Sequence, residues 1–210
     1  MTKIKSFLIT CICLCLFVMG GLLFVACTKN TKKVYTVNFY NDDGTLLCSN
    51  EYEKGETISI PEIPTKLNDE FYSYHFSGWD KDIMKDVDSS KDYYATYIRE
   101  SIYFDAEVLN YNECLIKPKE SVEILPVNVV IPESLYDAET QKYYKVTKMG
   151  EEILDFDINR DVKNLYIPNT IKSMEGSYTN YSSSLNNVYY NGTARDWCSI
   201  NIDGSESPIM

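Results

Sequence analysis

Two hundred and ten residues, 44% of them hydrophobic, are enough for one large domain or two small ones with real cores, and they exclude a disordered chain. The net charge is −11, and −13 once the two lysines of residues 1–26 are set aside, which argues against nucleic acid as a partner, because phosphate binding takes clustered Lys and Arg. Eighteen Tyr against nine Gly, with many Val, Ile and Thr, favour a mainly β fold, since branched and aromatic side chains pack well on a pleated surface.

The chain opens with Lys3 and Lys5 as a positive flank, followed from Phe7 to Ala26 by an uncharged apolar run. This is the pattern of an export signal. The run closes as Leu23-Phe24-Val25-Ala26-Cys27 and gives way at once to Thr28-Lys29-Asn30-Thr31-Lys32-Lys33. It resembles the lipobox of bacterial lipoproteins, in which a small residue precedes a Cys that is lipidated and becomes the new N-terminus. The resemblance implies a signal peptide over 1–26, lipid attachment at Cys27 and a tether over 27–33. The alternative is an uncleaved N-terminal membrane helix, because about twenty apolar residues reach ~30 Å, enough to span a bilayer. Either reading places 28–210 outside the membrane, at the cell surface.

Of the seven cysteines, Cys48, Cys114 and Cys198 lie beyond the signal and its lipobox. Three widely separated thiols make neither a disulfide framework nor a paired metal-ligand spacing, and they read as small buried hydrophobes.

From Val34 the pattern changes to alternation. Val34-Tyr35-Thr36-Val37-Asn38-Phe39-Tyr40 sets Tyr35, Val37 and Phe39 on one face of a strand. Asn41-Asp42-Asp43-Gly44 is a hairpin turn, Leu46 to Tyr52 the returning strand, Lys54-Gly55-Glu56 a second turn and Ile58 to Ile60 a short strand before Pro61 and Pro64. Ser77-Gly78-Trp79-Asp80 and Tyr93-Tyr94-Ala95-Thr96-Tyr97 follow. The ordered set over 34–98 closely resembles the B repeat of internalin-type surface proteins, which implies a small β-grasp-like module. Asn68 to Tyr74 stands as an insertion-like loop before the Trp motif, Gly78 is expected to allow close backbone approach, and Trp79 to plug a small core.

Residues 99–126 lack a clear period and read as a connecting segment with one or two edge strands. Val129-Val130-Ile131-Pro132 then recurs as Leu165-Tyr166-Ile167-Pro168 and, without the Pro, as Val188-Tyr189-Tyr190-Asn191. Val146-Thr147-Lys148-Met149 recurs as Ile171-Lys172-Ser173-Met174. The offsets of 36, 23 and 25 residues suit stacked repeats, each adding one short strand that cannot bury its apolar face alone. With the tail Tyr189 to Ile200, the region 127–210 resembles BspA-like bacterial leucine-rich repeats ending in a terminal-type repeat. That resemblance implies a short leucine-rich-repeat solenoid, and we expect either that Val188 to Ile200 folds over the end of the stack, with Trp197 and Ile200 covering it, or that the sequence continues in a longer parent protein.

The chemistry of an enzyme is not found in the sequence. His75 is the only histidine and has no triad-like neighbour in sequence. Asp155, Asp157, Asn159 and Asp161 imitate a calcium loop, but Arg160 and Tyr166 occupy the positions where such a loop needs Gly and Glu. We expect no catalytic residues, metal or cofactor. The resemblances imply a non-enzymatic surface lipoprotein that contacts a host or matrix protein or, alternatively, a cell-envelope scaffold or spacer that engages a cell-wall component. Alternation points Tyr166 and Tyr189 outward from the repeat strands, making them the candidate binding surface.

Overall fold

The computed structural model describes residues 32–154, 160–175 and 184–203. The described residues are mainly β. Strands β1 (Val34–Tyr40) and β2 (Leu46–Glu53) form the expected antiparallel hairpin. Its turn closes through the Gly44 amide donating to the Asn41 carbonyl at 3.0 Å, and Gly44 supplies a φ of 84° that a side chain would resist. Strand β4 (Lys91–Ser101) lies parallel to β1, and β3 (Tyr72–Trp79) lies antiparallel to β4, giving the order β2-β1-β4-β3. Val37, Phe39, Ile58, Val87 and Tyr93 are the buried core of this first unit. Trp79 packs against it edge-on to Phe39, with ring centroids 4.8 Å apart.

Three local readings change. Ile58 to Ile60 is not a strand: only Thr57 bridges, to Asp86, Ile58 is buried, and Ile60 is 58% exposed. The apolar pair at 58 and 60 marks a single anchoring contact. Asn68 to Tyr74 is not wholly a loop, since β3 begins at Tyr72 and the Asp69 carboxylate accepts from the Phe71 and Tyr72 amides, both at 2.8 Å, to start it. Gly78 is needed for its conformation rather than for close approach. A Cβ there would meet nothing within 4 Å, but φ is +136° where the β3–β4 register shifts between Phe76 and Gly78.

The second unit starts two residues after β4. Strands β5 (Phe104–Val108) and β6 (Glu113–Pro118) form a hairpin. Then come β7 (Asn128–Val130), β8 (Ser134–Asp137), β9 (Lys142–Met149), a 3₁₀ turn at Glu151–Leu154, β10 (Asn164–Pro168), β11 (Ser173–Glu175), β12 (Asn187–Asn191), helix α1 (Ala194–Cys198) and β13 (Asn201–Asp203). One parallel sheet has the order β12-β10-β7. A second runs β13-β11-β9-β6-β5, with β8 antiparallel on β9. From β9 onward the chain visits the two sheets in turn, β10 then β11, β12 then β13.

The sequence repeats appear here as strand register. Leu165 pairs with Val129 on one side and Val188 on the other, and Met174 pairs with Met149 and Ile202. Val129, Leu165, Ile167, Val146, Met149, Ile171 and Met174 are all buried in one core. The segment 99–126 is more than a connection: Phe104, Cys114, Ile116 and Leu125 are buried in that same core, and only β5 of its two strands lies at a sheet edge. Trp197, Ile200 and Ile202 pack against the core, with the Trp197 ring 5.1 Å from Tyr190.

Candidate functional site

Parallel in-register pairing repeats a residue type from strand to strand, so the outer face of β7, β10 and β12 is built in rows. One row is Asn128, Asn164 and Asn187. The Asn187 amide donates to the Asn164 side-chain oxygen at 2.9 Å, and the Asn164 amide donates to that of Asn128 at 2.7 Å. The next row is Val130, Tyr166 and Tyr189. Its two tyrosine rings stack with centroids 4.7 Å apart and planes 11° from parallel. Tyr166 is 38% and Tyr189 47% exposed, so neither is covered by the segment 99–126.

The tyrosine row forms one wall of a cleft of about 630 Å³ between the two units. The opposite wall comes from the first unit, where the Arg99 guanidinium sits 4.4 Å from the Tyr72 ring centroid. Burial raises the Tyr72 phenol above its ordinary value, against the lowering effect of Arg99, so it stays a neutral donor at neutral pH. Pro132, Pro168 and Ile167 line the cleft between these walls, and Glu133 is its exposed carboxylate. The result is a mostly apolar, aromatic cleft whose charged lining residues are Arg99 and Glu133.

No protein-family model, curated protein or solved structure matches the chain. The functional reading therefore rests on these residues.

Structure brings Tyr166 and Tyr189 together as the alternation implied. Arg99, Tyr72 and the asparagine row were missed. The row had a signal: an Asn stands immediately before each of Val129, Leu165 and Val188. Arg99 and Tyr72 had none, because they reach the cleft from the other unit.

His75 does meet partners in space. Ser73 Oγ lies 3.4 Å and Glu100 Oε2 3.7 Å from it, but both approach the same atom, Nε2. A nucleophile relay needs the hydroxyl and the carboxylate on opposite ring nitrogens. Cys114 behaves as the buried hydrophobe expected, its thiol pushed up to about 12 by burial. Cys48 is half-buried and Cys198 exposed, which corrects the expectation for Cys198: it ends α1 on the solvent side. Cys27 and the calcium-like Asp155, Asp157 and Asn159 lie outside the described residues. Among the described residues no group of three potential metal ligands occurs, and no helix is long and apolar enough to cross a membrane.

Proposed function

We propose that this chain is a non-enzymatic surface lipoprotein, anchored through Cys27, that adheres to host or matrix protein by the outer face of β7, β10 and β12. The observation that carries the reading is the exposed, stacked Tyr166–Tyr189 pair beside the cleft. Tyrosine gives large contact area at low entropic cost, and the stacked cross-strand pair, besides stabilising the sheet, presents that area to solvent. The module readings support the same conclusion. The order β2-β1-β4-β3 with β1 parallel to β4 agrees with a β-grasp-like unit, although no helix lies between β2 and β3. Strands alternating between the parallel sheet and the parallel β9, β11 and β13 of the mixed sheet, in the register of the sequence repeats, support the reading of a short leucine-rich-repeat solenoid.

Binding of the full chain to immobilised matrix proteins and to isolated cell-wall material tests the proposal. Matrix binding that falls at least tenfold in the double variant Tyr166→Ser and Tyr189→Ser supports it. Equal binding by the variant, or capture by wall material alone, overturns it in favour of an envelope scaffold. Anchoring is tested separately: Cys27→Ala should release the chain from the membrane fraction or block its processing, whereas unchanged mass and fractionation would indicate an uncleaved helix.

A further inference from the structure

Edge strands in folded proteins are normally protected against pairing with other chains, by charge, proline, a bulge or shortness. In this chain β2 carries Glu51 and Glu53, β3 is bulged at Gly78, and β5 carries Asp105 and Glu107. β7 has three residues between Pro126 and Pro132, β8 carries Asp137, and β13 has three residues including Asp203. β12 is the exception. Its five residues, Asn187-Val188-Tyr189-Tyr190-Asn191, contain no charge, no proline and no bulge, and among the described residues its strand partner is β10 alone.

The rows on the outer face are also left open at β12. Each asparagine donates toward β7, so among the described residues the Asn187 side-chain oxygen has no donor. Tyr189 stacks on Tyr166 with one face, and among the described residues no further strand follows on the other side. The Asn187 amide donates to Lys163 at 3.0 Å, so by alternation the amides of Val188 and Tyr190 point away from β10. Among the described residues, backbone, amide row and aromatic row all stop at one edge.

We infer that β12 is a strand-docking site, which accepts an extended segment of another protein in parallel register. The segment carries Asn beside Asn187 and an aromatic residue two positions later, beside Tyr189. The incoming Asn donates to Asn187, its aromatic ring takes the open side of Tyr189, and its backbone pairs with Val188 and Tyr190. This rests on the protein-binding reading above and names the contact within it.

The test uses the full chain in detergent and, as probe, the blocked peptide Lys-Asn-Leu-Tyr-Ile-Pro-Asn, a copy of residues 163–169. Amide hydrogen exchange is followed residue by residue. Docking slows exchange at Val188 and Tyr190 at least tenfold, and the effect is lost when the probe's Asn and Tyr are replaced by Ala or when its backbone is N-methylated. Tyr189→Lys, at an exposed position, should abolish the effect while leaving exchange in the β7 and β10 core unchanged. Exchange that millimolar probe does not slow overturns the proposal. So does protection that appears on concentrating the chain without probe, which would make a second copy the occupant. Matrix binding is not read in this experiment, so a failure of the adhesion reading and a failure of the edge site remain distinguishable.

Discussion

Gly78 and Trp79 are adjacent, and they contribute in different ways. Trp79 places its indole against Phe39 and Phe76, edge-on to both, at 4.8 and 5.5 Å, and so closes a core of only a few side chains. Truncating a fully buried Trp costs about 3–5 kcal/mol, and the half-buried Trp79 falls toward the low end of that range, still a large share of the stability of a small unit. Trp79→Ala should therefore unfold residues 34–98, read as loss of near-ultraviolet circular dichroism and of slow amide exchange in β1 and β4. A variant that melts normally would show the ring to be dispensable. The role of Trp79 was legible because an aromatic in an alternating strand has few other uses. That of Gly78 was legible only as a special backbone position, since the bulge that demands its φ exists only against β4. Residue type records that a backbone is unusual, while the partner strand decides why.

At the scale of elements, the two repeat series were readable because parallel register writes the same residue type at every turn. The β5–β6 hairpin was not, because its meaning depends on β9, where Cys114 pairs with Val146, more than thirty residues later. The asparagine row offers a check on the register itself. Asn164→Ala removes both side-chain bonds of the row, exposed and neutral, for a loss of about 1 kcal/mol. The melting temperature of the second unit should drop by about 4–8 °C, while Lys163→Ala, off the row, should do less. Acid provides a second check. The Asp196 carboxyl is held below its ordinary 3.8 by the Thr193 hydroxyl and amide, in the reciprocal cap of α1, and Glu113 below 4.5 by Lys172 and Asn110. Carboxyls depressed in the folded state add stability that is present above their ordinary values and lost as pH falls through the folded ones. The melting temperature should hold from neutral pH down to about those ordinary values and fall below them. Glu113→Gln and Asp196→Asn together should flatten that fall. An unchanged acid limb would show that these contacts do not hold the β6–β11 side or the α1 cap.

For the whole molecule, the question is what keeps the two walls of the cleft in place. Only Ile102 and Tyr103 separate β4 from β5, and the Ser101 hydroxyl, buried, accepts from the Tyr103 and Phe104 amides at 3.3 and 3.1 Å. Such a link has little freedom to bend. Two contacts then tie the units across it. Lys119 bonds Glu100 at 2.7 Å, and Tyr143 Oη accepts from the Arg99 amide at 2.6 Å and donates to the Arg99 carbonyl at 3.2 Å. The second contact fixes the residue whose guanidinium lies over Tyr72, so it sets the cleft wall as well as the orientation of the units. Tyr143→Phe keeps the ring beside Tyr136 and removes both bonds to Arg99. Net losses of about 0.5–1.5 kcal/mol per bond are small against a folded unit but large for a local hinge. The Arg99 amide should then exchange at least tenfold faster, with melting of each unit nearly unchanged. If the cleft contributes to partner binding, the variant weakens binding by a faster off-rate, because a wall that must be ordered on contact adds an entropic cost the wild type does not carry. Unchanged exchange at Arg99 would place the rigidity in the two-residue link and Lys119 instead, and Lys119→Ala would then be the variant that loosens the cleft.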